Sequence, residues 1–258
     1  MSTNTWNKVK WILITAVVLL VYYWAVKGIN FNLERILMGL PKGKIILERI
    51  FVKSLKYIGT PFFWNMVMEM LRTLAMAYFG TFIASVLTVP FAFLAATNFS
   101  PYARAFKMLL NFIRTFPEIL LAIIFVSMVG PGPFAGVLAI GFHSVGMLGK
   151  LYAEAVENID MKPIEAITAA GGNFWQKLVF GVLPQVFPYF ASYSIYRFEI
   201  AVRSASTVGL VGAGGIGVPL LLKVQGRNWE EVGVIIIVII FTVVIVDYLS
   251  AYIRKRIV

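Results

Sequence analysis

Three ionisable side chains lie close together inside one apolar stretch of the sequence: Arg197, Glu199 and Arg203. Charged groups within segments long enough to span a membrane are costly, so they invite a functional hypothesis. A guanidinium group suits an oxyanion, because its planar fork matches paired oxygens. We hypothesise that Arg203 borders the path of an anion; equally, it could pair with Glu199 or extend to the membrane surface. For Arg197 and Glu199 we favour an ion pair that orders the segment.

Further polar groups extend this candidate pathway. Ser204 and Ser206 follow closely and could hydrogen-bond an oxyanion or satisfy loose backbone groups. Arg114 and Glu118 stand at the start of another apolar segment, where we favour a gate formed by pairing within or across the subunits of a dimer. His143 is the only histidine and lies in the middle of a segment. For such a residue a hydrogen bond between helices is commoner than catalysis.

The remaining reactive residues argue against an enzyme. The chain has no cysteine and one histidine, which excludes thiolate and multi-histidine metal sites. Its carboxylates are scattered rather than clustered with a base, as acid–base catalysis requires. No G-x-x-x-x-G-K-[ST] sequence is present, so the chain carries no nucleotide chemistry of this kind. We therefore expect no catalytic residue, no metal site and no cofactor bound by this chain.

A glycine-rich run at residues 212–217 satisfies the pattern G-x-G-x-x-G. As a dinucleotide fingerprint it would need a preceding strand and a βαβ unit, and it has neither. Irregular backbone at membrane depth is tolerated where it is buried in protein or lines a cavity. We expect Gly212, Gly214 and Gly215 to pack close to a twin subunit and to border the substrate path.

Membrane helices must position these groups. The chain has 258 residues, of which 60% are hydrophobic and 14% charged, whereas soluble domains carry about 25% charged residues. Long apolar runs predict an all-α, polytopic membrane protein with six transmembrane helices. The net charge is +11, and since the basic residues lie between the spans, anionic lipid headgroups are the default partner rather than nucleic acid. The predicted spans are Trp11–Val26, Leu71–Ala96, Met108–Val129, Phe134–Tyr152, Pro184–Val202 and Val232–Tyr252.

The number of basic residues on each face does not settle the orientation, but those close to the span ends favour cytoplasmic N- and C-termini. The basic run 254–256 directly follows the last span, and Arg104 and Lys107 lie in a short loop. The stretch 30–56 is then external, and its mixed pattern suits helices on the membrane surface. We divide the chain into an N-terminal span with this amphipathic segment (1–68) and a core (69–258).

The connection between the fourth and fifth spans, at about residues 160–184, has its own helix signals. Pro163 suits a first helical position, and Glu165 favours the dipole of the first turn. The pair 171–172, both glycine, can end this helix. Asn173 then caps a second short helix, and Gln176 completes a capping box.

This connection resembles the EAA loop of ABC-importer permeases, in which E-A-A is followed by G and then by I-x-L-P at fixed spacing. Ile167 replaces the second alanine and Gly181 replaces the isoleucine, while the other positions are in register. In that family the loop docks in a groove of a cytoplasmic ATPase. The resemblance implies the following ATPase-coupling residues: Glu165, Ala166, Gly171, Gly172, Phe174, Trp175, Leu183 and Pro184.

The run 197–203 with the following run 209–217 resembles the signature of the phosphonate-importer permease family, as does the run 114–118. One departure is Ala201, where that family usually carries asparagine. The resemblance implies the MetI-like permease fold of type I ABC importers, with Arg203, Ser204 and the glycines beside a path for phosphonate, phosphate or phosphite.

The same resemblance implies the partners. They are a second copy of this chain, two cytoplasmic ATPase subunits that bind ATP and Mg²⁺, and an external substrate-binding protein, all at a bacterial inner membrane. A permease for methionine or quaternary amines is the alternative within this class. A membrane-embedded enzyme or a secondary transporter is the alternative outside it; the latter would favour an inverted repeat, and none is evident.

Overall fold

A computed structural model describes residues 3–29 and 32–257, and over these residues it is helical without any strand. Eleven α-helices are joined by short turns, with 3₁₀-helices at Lys53–Tyr57 and Gly209–Val211 and a π-helix at Lys177–Val182. The α-helices are α1 Thr3–Gly28, α2 Leu33–Phe51, α3 Pro61–Ala95, α4 Ala103–Thr115, α5 Glu118–Val129, α6 Pro133–Glu157, α7 Lys162–Ala169, α8 Phe174–Gln176, α9 Leu183–Val208, α10 Gly217–Gln225 and α11 Trp229–Ile257.

The chain divides into two units, Met1–Glu48 and Arg49–Val258. The first holds α1, whose stretch Trp6–Gly28 is long and apolar enough to span a membrane. It also holds most of α2, which places polar and apolar residues on different faces, as the surface-helix prediction requires. The second unit holds the helical core. The boundary that we place after residue 68 stays a prediction.

Five helices are long and apolar enough to cross a membrane, and a sixth span exists only if α4 and α5 count as one. The prediction of one continuous helix over Met108–Val129 was wrong, because α4 and α5 meet at 82°. The cause is Pro117: a proline disfavours helical geometry in the residue before it, and Phe116 adopts an extended conformation. The predicted third span is therefore two helices that meet at a sharp bend.

The core of the second unit forms where α6 packs along α3, with α9 and α11 against them. Small residues allow the backbones of α3 and α6 to approach closely, as is common between membrane helices. A side chain at Gly80 would lie 3.0 Å from the carbonyl oxygen of Val137, and one at Gly141 would lie 3.3 Å from the carbonyl oxygen of Gly80. The closely packed helices α3 and α6 therefore support α9, which carries part of the candidate site.

Candidate functional site

Residues 162–182, between α6 and α9, fold as a compact two-helix projection, here called the knob. Its first helix ends at Ala169, and the chain turns at Gly171, whose φ of 78° lies in the left-handed region that favours glycine. The N–H groups of Gly171 and Gly172 donate to the carbonyls of Thr168 and Ile167 at 3.0 and 2.8 Å. A side chain at Gly172 would come within 2.4 Å of Ile167. The predicted Gly-Gly break is thus confirmed.

The second helix of the knob begins with the predicted capping box. The Asn173 side chain accepts a hydrogen bond of 2.9 Å from the Gln176 N–H, and the Gln176 side chain accepts one of 2.8 Å from the Asn173 N–H. The chain then continues as the π-helix Lys177–Val182. Sequence analysis missed this π-helix, since its residues carry no signal that separates it from an α-helix. Such segments are frequent at functional sites.

The two departures from the E-A-A pattern contact each other inside the knob. A side chain at Gly181 would lie 3.4 Å from the Ile167 side chain and 3.0 Å from that of Ile164. Position 167 therefore carries isoleucine, which is larger than the alanine of the pattern. Position 181, which faces it, carries glycine, which is smaller than the isoleucine of the pattern. The exchange of sizes keeps the contact between α7 and the π-helix filled.

A residue that sequence analysis missed, Gln185, joins the two ends of the knob. Its side chain donates to the carbonyls of Asp160 at 3.0 Å and Gly181 at 2.7 Å, and it accepts from the Asp160 N–H at 2.9 Å. The entry to α7 and the start of α9 are thus held together. The only sequence signal was its position next to Pro184.

The outward surface of the knob carries large aromatic side chains. Phe174, Trp175 and Phe180 are 62%, 69% and 70% exposed, and the rings of the first two lie 5.6 Å apart, edge to face. Glu165 and Ala166 are also exposed. Exposed aromatic side chains such as these are suited to contact with another protein. Sequence analysis named four of these residues and missed Phe180.

The inner side of the knob is anchored in the core. Leu178 and Leu183 pack against a buried cluster, in which the rings of Tyr152 and Phe190 stack at 4.0 Å. Pro184 lies in the first turn of α9 and is exposed. Leu183 therefore anchors the knob, whereas the exposed aromatic residues face outward.

Of the predicted gate residues, Glu118 pairs with Arg197, whereas Arg114 lies apart from them. Arg197 is 1% exposed, and its guanidinium donates to Glu118 at 3.0 Å, to Ser144 Oγ at 2.7 Å and to His143 Nδ1 at 3.2 Å. One side chain thus connects α9 to α5 and α6. Arg114 lies on an exposed face and makes no ion pair with any residue that the structure describes.

Glu199, two residues further along α9, forms a second charge cluster. Its carboxylate accepts from Arg203 at 2.7 Å and from Arg254 at 2.9 Å, and Arg203 also approaches Asp247 at 3.5 Å. Arg203 is still 51% exposed. The interpretation of Arg203 as an ion-paired residue is confirmed, whereas its place beside an anion path stays a prediction.

An ion pair also ties the second charge cluster to the end of the last helix. Glu199 bonds to Arg254 in the last turn of α11, so both charge clusters lie on the side of the C-terminus.

Nearby small residues have local roles. Ser204 donates to backbone carbonyls of its own helix, whereas the buried Ser206 Oγ has no hydrogen-bond partner. Ala201, the departure from the family pattern, is fully buried in the core. Among residues 3–29 and 32–257 no group of three or more acidic or histidine side chains could hold a metal ion.

The glycine-rich run is packed within its own subunit. Gly212, Gly214 and Gly215 have φ values of 89°, 86° and 71°, and the carbonyl of Gly212 accepts a hydrogen bond of 3.0 Å from the turn that precedes α6. A side chain at Gly214 would lie 2.7 Å from the nitrogen of Pro133, and one at Gly215 would lie 2.4 Å from Thr73 Oγ1. Glycine is therefore required here by the fold itself.

Comparison with known proteins agrees with this architecture. The structure is similar to that of a chain from the MetNI methionine ABC transporter in an inward-facing conformation, with a TM-score of 0.67 and 21% sequence identity. The similarity covers 78% of this chain and 100% of the other. At this identity the likeness shows the fold, and the MetI-like prediction is confirmed.

Sequence relatives are more specific. The chain is 45% identical over 193 residues to a phosphite transport system permease protein of Stutzerimonas stutzeri, covering 74% of this chain and 70% of the relative. It is 48% identical over 119 residues to a putative cryptic phosphonate transport system permease protein of Escherichia coli K12, covering 46% of this chain and 98% of the relative. Residues 88–258 match the model of one protein family. The chain belongs to that family, the inner membrane components of binding-protein-dependent transport systems.

Proposed function

We propose that this chain is the permease subunit of an ATP-driven importer of phosphite, phosphonate or phosphate-type oxyanions. The knob is the observation that carries the proposal. It presents Glu165 and three exposed aromatic side chains on a rigid two-helix unit between α6 and α9. The named substrates of the phosphite and phosphonate relatives support the substrate class.

The proposed complex contains two copies of this chain, two cytoplasmic ATPase subunits and an external binding protein. The ATPase subunits bind ATP and Mg²⁺, and this chain performs no chemistry. The knob then faces the cytoplasm, as do both termini. The basic last turn of α11, at residues 254–256, supports this orientation through the positive-inside rule.

The geometry supports a path for movement from the knob into the membrane. Leu183 and Arg197 are both on α9, about 21 Å apart at 1.5 Å per residue. Gln185 holds the ends of the knob together, so closure of an ATPase dimer would move the knob as one body. Arg197 would then transmit the displacement of α9 to Glu118 on α5. Arg203, Ser204 and the glycines at 212, 214 and 215 remain proposed borders of the substrate path.

Charge reversal on the knob tests the coupling. Glu165→Lys should abolish both co-purification of the ATPase subunit and ATP-dependent uptake, because an exposed carboxylate at the docking surface becomes cationic. Glu34→Lys makes the same change on α2 and should leave both intact. Normal ATPase binding and uptake in Glu165→Lys would contradict the assignment of the knob.

The substrate class needs a separate measurement. Proteoliposomes containing the complete complex and its binding protein are given phosphite, methylphosphonate, phosphate, methionine or glycine betaine. We expect uptake of at least one of the three phosphorus oxyanions and none of the last two. Uptake of methionine or glycine betaine alone would overturn the oxyanion class while leaving the permease assignment in place.

A further inference from the structure

A lateral groove lies between α3, α9 and α11. Its walls on α3 run from Tyr78 to Ser85 and its walls on α11 run from Val246 to Ile253, in both cases along one helical face. At 1.5 Å per residue each wall is about 10 Å long. The groove has a volume of about 320 Å³, and it is open, since several of its large side chains are half-exposed.

The groove is suited to a hydrocarbon chain. Its lining is predominantly apolar and includes Phe82, Phe198, Leu249 and Ile253. Its volume is about twice that of a 150 Å³ apolar cavity that stays dry and binds benzene. The groove runs along the helices, which is also the direction of an acyl chain in a bilayer. Because this protein is embedded in the inner membrane, lipid is the molecule present around such a groove.

One wall of the groove also holds a polar group without a partner. Thr81 is 3% exposed, and its hydroxyl has no hydrogen-bond partner. A buried hydroxyl without a partner is costly. Ser250, also buried, lines the groove from α11. These hydroxyl groups would suit the ester oxygens of a glycerolipid that enters between the helices.

A basic side chain lies beyond one end of the groove. Arg256 lies three residues after Ile253, so it continues the groove-lining face of α11 into the last turn. Its side chain is exposed and rests on Tyr252, to whose hydroxyl it donates. Arg254, its neighbour in that turn, is already paired with Glu199. A guanidinium group in this position suits a phosphate, and basic pockets between membrane helices bind anionic headgroups.

We propose that this groove is a binding site for one anionic phospholipid, with an acyl chain between α3 and α11 and the headgroup phosphate on Arg256. The site lies beside Glu199 and Arg254, where α9 meets the end of α11. A lipid bound there contacts the same helix that carries the knob. The proposal requires only that the protein is embedded in the membrane, and it does not depend on which substrate is carried.

Native mass spectrometry of the purified full-length chain tests the site, after delipidation and addition of phosphatidylglycerol or phosphatidylethanolamine. Wild type should retain one phosphatidylglycerol more strongly than phosphatidylethanolamine. Arg256→Gln should weaken phosphatidylglycerol retention by about fivefold, the equivalent of about 1 kcal/mol for one surface charge. Arg104→Gln removes an exposed arginine on α4 that does not line the groove, and should change nothing.

A second variant tests the groove independently of the charge. Ser85→Phe fills the groove from α3 and should reduce retention of both lipids. Equal retention of the two lipids by wild type, or equal effects of Arg256→Gln and Arg104→Gln, would overturn the headgroup site. Unchanged retention in Ser85→Phe would overturn the acyl-chain site. A disulfide between two copies of a Ser85→Cys variant would instead identify a second copy as the occupant.

Discussion

The buried pair formed by Arg197 and Glu118 gives the most demanding prediction. Among residues 3–29 and 32–257, Glu118 is the only carboxylate in contact with the Arg197 guanidinium group, which is 1% exposed, and Glu118→Gln removes it. The Ser144 hydroxyl and His143 Nδ1 remain as hydrogen-bond acceptors for this guanidinium group. Neither carries a negative charge, so neither replaces the carboxylate. The variant therefore leaves a cation between α5, α6 and α9 without a counter-ion.

The expected cost follows from this burial. Removing one partner of a buried ion pair destabilises by about 3–5 kcal/mol. For a chain of this size that corresponds to a fall in the unfolding midpoint of roughly 6–20 °C. Replacing both partners by neutral groups, in Arg197→Met with Glu118→Leu, should recover much of the loss, because no charge is then left unpaired. ATP-driven uptake should stay low in the double variant, since the connection between α9 and α5 is missing.

Thermal unfolding of the purified protein in detergent measures the fall in the unfolding midpoint. Uptake into proteoliposomes measures the loss of ATP-driven transport. The matched control is Glu154→Gln, which breaks an exposed pair with Lys150 at 3.8 Å. Exposed pairs of this type contribute about 0.3–0.5 kcal/mol. The reasoning is refuted if Glu118→Gln costs no more than Glu154→Gln, or if the double variant transports at the wild-type rate.

Three further changes probe the knob and the glycine-rich run. Gln185→Leu should reduce uptake severalfold while the ATPase subunit still co-purifies, because the ends of the knob separate; an unchanged ratio of transport to ATP hydrolysis would contradict this. Asn173→Ala should destabilise the knob by about 1 kcal/mol, seen as faster amide hydrogen exchange confined to residues 173–182. Gly214→Ala should lower the unfolding midpoint, since a side chain would meet Pro133 at 2.7 Å. Gly39→Ala, where nothing lies within 4 Å, should leave the midpoint equal or higher, and equal effects at the two glycines would contradict the packing argument.

Local sequence signals predicted the knob well, because its features are short-range. Gly171 ends a helix through its own φ, and Asn173 caps a helix through a residue three positions away. The bend between α4 and α5 was equally local, and the signal was present: a proline at 117 acts on the residue before it. It was missed because the apolar run on both sides suggested one uninterrupted span.

Long-range pairing could not be predicted. Arg197 was expected to pair with Glu199, two positions away, but its carboxylate partner is Glu118, which is 79 residues distant in sequence. Glu199 pairs instead with Arg203 and Arg254. Composition and spacing identify which charges lie inside the membrane region. Which of them meet depends on how α5, α9 and α11 pack, and no periodicity within one helix carries that information.

The contact between Ile167 and Gly181 has a consequence for exchanging parts between importers. A relative with alanine and isoleucine at these positions fills the same contact with the sizes reversed. Transferring only isoleucine to position 181 would overpack the knob, at about 1–3 kcal/mol, while transferring only alanine to position 167 would leave a void. Neither step is neutral alone, so the two positions must change together. A chimeric permease that is meant to accept a foreign ATPase should therefore receive the whole segment from α7 to the start of α9 rather than selected surface residues.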